Sequence, residues 1–161
     1  MRYIASIRNL VMNNTSSNIL QILADLPDFL RKQMLQNRLK EFYEMHDEER
    51  SDLINMALVA APKIDPDKLS ILFRTWLELL SEFDAEKRGV MFQTYCRQIL
   101  KKPCIIAKLD FESLTNAFVS LTQLQRERLT DSLHEVLLGV PNSNKMLKVI
   151  PEYSLKAVGL K

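Results

Sequence analysis

Arg50, Arg88 and Arg126 stand 38 residues apart, and apolar residues keep the same interval around them. Phe42, Leu80 and Phe118 form one column, and Met45, Phe83 and Leu121 the next. Downstream come Leu53, Met91 and Leu129, then Ala57, Tyr95 and Leu133, then Ala61, Ile99 and Leu137. One continuous helix returns to the same face after about 36 residues, ten turns, so an interval of 38 requires a break inside each unit. The pattern predicts a two-helix unit that cannot bury its apolar face alone and stacks on its neighbours.

Start and stop signals divide the chain accordingly. Ile4, Ile7, Leu10 and Val11 give residues 2–13 an amphipathic stripe, which the turn-prone run Asn13–Ser16 ends. Ser16 or Ser17 caps a short segment carrying Ile19, Leu20, Ile22 and Leu23. A helix is expected from about Pro27 to Met45 and another, capped by Asp47, to about Ala61, where Pro62 stops it. Asp65-Pro66 opens a helix whose buried stripe includes Leu69, Leu72, Phe73, Trp76, Leu77 and Leu80. Asp84 caps the next, which runs to Lys101 or Lys102 before Pro103, with lysines suited to its negative pole. Asp110 caps a helix through about Leu121, and Thr122-x-x-Gln125 is a capping box for the one that Gly139 and Pro141 close. A short helix is expected before Pro151, then a tail.

The expected fold is all-α: about seven helices in one domain over 1–161. Short N-terminal helices fill 1–24, helical hairpins 25–64, 65–109 and 110–141, and a C-terminal tail 142–161. The hairpins pack either as a short repeat stack or as a closed orthogonal bundle. The unit's length is near that of HEAT-type repeats, and the likeness stops at length and helix pairing.

Composition narrows the function classes. Hydrophobic residues make up 47% and charged residues 26%, a globular balance, and the net charge of +2 neither demands nor excludes a polyanion. Three glycines are too few for a phosphate-cradling loop. Two cysteines make no disulfide scaffold; a reduced pair and a cytoplasmic setting are expected, and no apolar run approaches a membrane span.

The arginine column is the main candidate for a special role. A cation in the first helical turn is disfavoured by the positive pole, so each arginine needs an acceptor. Glu44 precedes Arg50 by six residues and Glu82 precedes Arg88 likewise; the third unit has Ser120 there. These arginines are expected to brace neighbouring helices through carboxylates or exposed carbonyls, with anion binding as the alternative. Glu127, Asp131 and His134 share a helix face, but it is the solvated one, with no second Glu-x-x-His helix to complete a site. His46 serves to start a helix, and Trp76 reads as a core anchor. No catalytic, cofactor-binding or metal-ligating residue is expected.

Basic residues gather at Arg31/Lys32, at Arg97/Lys101/Lys102 and at Lys145/Lys148 with Lys156. Interleaved acids weaken the case for nucleic acid, and the helix pole accounts for Lys101-Lys102. The expected function is therefore non-enzymatic: a helical interaction module binding a protein segment in a groove, with methionines 34, 45, 56 and 91 as adaptable lining. A helix-turn-helix-like nucleic-acid binder is the first alternative and an enzyme with an unrecognised site the second. No membrane association is expected, and the apolar tail either fills the groove or reaches across to form a homodimer.

Overall fold

The computed structural model describes residues 19–161, so the expected 2–13 helix and the Ser16/Ser17 cap lie outside the described residues. Among those residues the chain is all-α, with nine helices packed on one another and no strand. Helix α1 covers 19–25. Then come α2 (Asp28–Glu44), α3 (Asp47–Ala60), α4 (Pro66–Glu82), α5 (Ala85–Lys101), α6 (Phe111–Val119), α7 (Gln123–Gly139), α8 (Ser143–Leu147) and α9 (Glu152–Ala157). Single 3-10 turns at Ala61–Lys63 and Pro103–Ile106 sit where prolines stop α3 and α5.

Side-chain caps set the starts of α4, α5, α6 and α7. The Asp65 carboxylate accepts from the Asp67 and Lys68 amides at 3.0 and 3.4 Å, and Pro66 opens α4 where no N–H is needed. Asp84 accepts from the Lys87 amide at 2.9 Å and Asp110 from the Ser113 amide at 3.1 Å. The capping box of α7 closes both ways: the Gln125 amide donates to Thr122 Oγ1 at 3.2 Å, and the Thr122 amide donates to Gln125 Oε1 at 3.0 Å.

Two boundary expectations need correction. His46, not Asp47, is the N-cap of α3; it is extended and caps without its side chain. Asp47 is the first helical residue, where its charge suits the positive pole, and its carboxylate turns to Arg50 at 3.3 Å. Gly139 ends α7 as expected, and just beyond it Asn142 has a φ of 61°, a left-handed conformation that asparagine tolerates. Residues after Pro151 form a helix rather than an irregular tail. Ser154 and Leu155 of α9 are buried, the Ser154 hydroxyl shares a hydrogen bond with Thr115 at 2.7 Å, and α9 packs on α6.

Packing joins helices two apart along the chain. α2 lies on α4 and α4 on α6; in a second row α3 lies on α5 and α5 on α7. Phe42, Leu80 and Phe118, one residue from each helix of the first row, are 2%, 0% and 6% exposed. Full burial of such side chains stabilises by roughly 1.5–3 kcal/mol each. Polar ties fix the rows' register: Ser70 Oγ donates to the Ser113 carbonyl at 3.0 Å, and Arg74 Nε donates to Ser120 Oγ at 2.9 Å, both joining α4 to α6. The Tyr43 hydroxyl donates to the Lys87 carbonyl at 2.8 Å, joining the end of α2 to the start of α5.

Candidate functional site

The three arginines of the column occupy one position, the fourth residue after the N-cap of α3, α5 and α7. Each reaches back to the end of the preceding helix. Arg50 Nε and Nη2 donate to the Phe42 and Tyr43 carbonyls at 3.0 and 2.7 Å. Arg88 Nη1 donates to the Phe83 carbonyl, and its Nε to Ser132 Oγ at 2.9 Å. Arg126 Nη1 donates to the Val119 and Leu121 carbonyls at 2.7 and 2.8 Å. The last carbonyls of a helix lack intrahelical donors and carry its negative pole. At each turn that pole abuts the positive pole of the next helix, and a guanidinium placed between them satisfies both carbonyls and charge.

Of the two expected modes the carbonyl one holds, and the expected carboxylate partners are corrected. Arg50 pairs with Asp47 rather than Glu44, which is exposed. Glu82 lies 3.7 Å from Lys32 and takes no part in binding Arg88. Carbonyls a few residues away by chain geometry are better placed than a side chain that must be held across the turn at an entropic cost.

A fourth member went unnoticed in the sequence. Arg31 follows the N-cap of α2 by the same four residues, and it donates to the Leu23 and Ala24 carbonyls at 2.9 and 3.0 Å, to the Leu26 carbonyl, and to Asp28 at 2.6 Å. The available signal was spacing: Arg31 precedes Arg50 by half the interval of the column. The column is a set of turn braces.

An apolar concave space lies between the two rows. A cavity of about 520 Å³ is walled by residues of α1 through α9. Leu35 and Phe42 of α2, Ala57 of α3, Trp76 of α4, Tyr95 of α5 and Leu133 of α7 represent its lining. Trp76 stacks on Phe73 with ring centroids 5.7 Å apart and meets Tyr95 edge-on at 5.3 Å, so it is at once core anchor and cavity wall. Met45, Met56, Met91 and Met146 also line the space. The lining is overwhelmingly apolar. Arg38 and Glu41, 3.5 Å apart, are its charged members, and Ser154 and Thr115 are bonded to each other.

The apolar surroundings register in the titratable groups of the wall. Burial pushes the Tyr95 hydroxyl up to about 12 and the Cys96 thiol up to about 11, because the charged form loses its hydration. Outside the wall, at the turn between α2 and α5, Tyr43 is raised by burial first and by the Asp84 carboxylate second. Neutral, weakly polar walls of this kind offer shape and apolar contact rather than charge.

The remaining candidates are placed as follows. Glu127 accepts from Gln123 Nε2 at 2.9 Å, and His134 Nε2 is 3.0 Å from the Val158 carbonyl, holding the chain end against α7. No group of three metal-ligating side chains converges among the described residues. No described helix is long and apolar enough to cross a membrane. No protein-family model, curated protein or solved structure matches this chain.

Proposed function

We propose that the protein is a non-enzymatic binding module that accepts the apolar face of an amphipathic helix from a protein partner in the cavity between its helix rows. The observation that carries this is a 520 Å³ space with an overwhelmingly apolar lining, in which the Thr115, Ser154 and Thr130 hydroxyls are already hydrogen-bonded and Tyr95 adds one further hydroxyl. A small-molecule site normally aims a few polar groups inward to orient its ligand. Here recognition falls to apolar contact, the mode by which a groove takes up residues spaced i, i+3, i+4 and i+7 along a helix. Four methionines in the wall, with flexible unbranched side chains, allow the lining to adjust to the anchors it receives. The packing of α9 on α6 in cis supports a separate protein as the partner. Two unbridged cysteines, Cys96 and Cys104, support a reducing, cytoplasmic setting.

The test uses 1-anilinonaphthalene-8-sulfonate as a fluorescent probe of the folded protein. A synthetic helical peptide with leucines at i, i+3, i+4 and i+7 is expected to displace the dye, and a peptide of the same composition with scrambled spacing is not. Ala57→Trp, which fills the wall of α3, is expected to abolish the displacement. Displacement by a long-chain fatty acid but not by the peptide overturns the proposal in favour of a small apolar ligand. Failure of the dye to bind removes the cavity as a site.

A further inference from the structure

The two basic clusters Arg97/Lys101/Lys102 and Lys145/Lys148 lie far apart in sequence, but α8 packs on α5 and brings them to one end of the molecule. Lys108 follows Lys102 in the chain just beyond the Pro103–Ile106 turn, which also packs on α5. Arg97 and Lys101 share a depression of about 390 Å³ with Gly139, Val140 and Pro141, the link that leads into α8. All six cationic residues are exposed.

Their charge is not neutralised locally. Residues 87–109 and 136–151 contain no aspartate or glutamate. Among the described residues none of the six enters an ion pair, whereas Arg31, Lys32, Arg50, Lys68 and Lys156 all do. The negative helix pole, which suffices for Lys101 and Lys102 in the sequence, falls short here: the ends of α5 and α7 supply about half a charge each, roughly one against six. The whole chain carries 22 basic and 20 acidic residues, so an acid-free end with six cations leaves the rest of the molecule net acidic.

We propose that this end binds the phosphate backbone of double-stranded nucleic acid, without sequence preference. Lysines and an arginine supply point charges for phosphates, and the exposed amides of Asn142 and Asn144 stand among them as neutral donors. An anionic membrane is the competing polyanion, and stable attachment there calls for an apolar face to insert beside the charges. Leu100, Ile105 and Val149 are packed against the core, which leaves Leu138, 90% exposed, as an isolated apolar side chain. The surface is electrostatic rather than amphipathic, which favours the duplex.

The experiment is fluorescence anisotropy of a labelled DNA duplex of arbitrary sequence with the full chain. Five or six phosphate contacts predict a loss of affinity of roughly 500- to 2,000-fold between about 50 and 200 mM salt. Lys101→Glu/Lys102→Glu and Lys145→Glu/Lys148→Glu are each expected to weaken binding at least about tenfold and to flatten the salt dependence. Lys40→Glu, an exposed lysine of α2, is the charge control, and circular dichroism checks that each variant is folded. Ala57→Trp is expected to leave duplex binding unchanged, so this proposal and the cavity proposal fail independently. Absence of binding at low salt, an equal loss in Lys40→Glu, or binding to phosphatidylserine vesicles but not to the duplex overturns it.

Discussion

Arg88 Nε donates to the Ser132 hydroxyl at 2.9 Å, tying the first turn of α5 to the middle of α7 across 44 residues of chain. Both residues are buried, and the same guanidinium also satisfies the Phe83 carbonyl at the end of α4. One side chain thus joins a turn to a helix of the second row. Removing it as Arg88→Met leaves a carbonyl and a hydroxyl inside without a donor, at a cost of about 2–4 kcal/mol. Arg126→Met, in a brace that is partly open to water, is expected to cost about 1 kcal/mol. Urea denaturation of both variants compares them directly, and equal losses would show that burial does not set the strength of these braces.

The capping box of α7 is exposed, so water replaces its lost bonds in part. Thr122→Ala removes the acceptor for the Gln125 amide and is expected to destabilise by about 1 kcal/mol, with an unchanged urea dependence. A thermal melt followed by circular dichroism measures it.

High pH is expected to destabilise the fold. The Cys96 thiol ionises near 9.0 when free and near 11 in the folded chain, and Tyr95 moves from 10.0 to about 12, with Tyr43 shifted the same way. These groups bind protons more tightly when folded, so the unfolded chain loses its protons first. Their contribution is fully present below about pH 9 and falls progressively from there to about pH 12. The urea midpoint should drop over that window, and Cys96→Ala should remove the earliest part of the drop. A midpoint that stays level to pH 11 contradicts the account.

The two thiols also differ in access. Cys104 is exposed and Cys96 buried, so an aromatic disulfide reagent at pH 8 is expected to label one thiol quickly and the second only on unfolding. Mass spectrometry of the labelled chain identifies which. Early labelling at Cys96 would mean that the interlayer space opens readily to solvent.

Gly159 has a φ of +73°, and a Cβ there would lie 3.4 Å from the His134 ring. The left-handed backbone, more than the contact, disfavours a side chain. Gly159→Ala is expected to cost about 1 kcal/mol and to loosen the chain end from α7. Faster amide exchange at Val158 and Leu160, read by NMR, is the measurement.

Local chemistry was legible in the chain. Aspartates 65, 84 and 110 and the Thr122/Gln125 pair lie where helices begin, because a cap acts within three residues of itself and needs no distant partner. The prolines at 62, 66 and 103 mark stops and starts for the same reason. The all-α architecture follows from apolar spacing that repeats with the helix turn.

What depended on distant contacts was not legible. Carbonyl bracing was one of the two expected modes for Arg50 and Arg88, but which acceptors each takes, Asp47 and Ser132 included, was not readable, because carbonyls carry no sequence signature. Arg31 belongs to the same set, yet its role needed the position of α1. The residues after Pro151 form α9 because α6 offers them a surface, and local propensity contains no record of that. The meeting of Arg97, Lys101 and Lys102 with Lys145 and Lys148 rests on α8 packing against α5. Sequence determined where helices start and how they turn, since those choices are settled by neighbours along the chain; tertiary packing alone decided which charges gather and where the apolar space remains open.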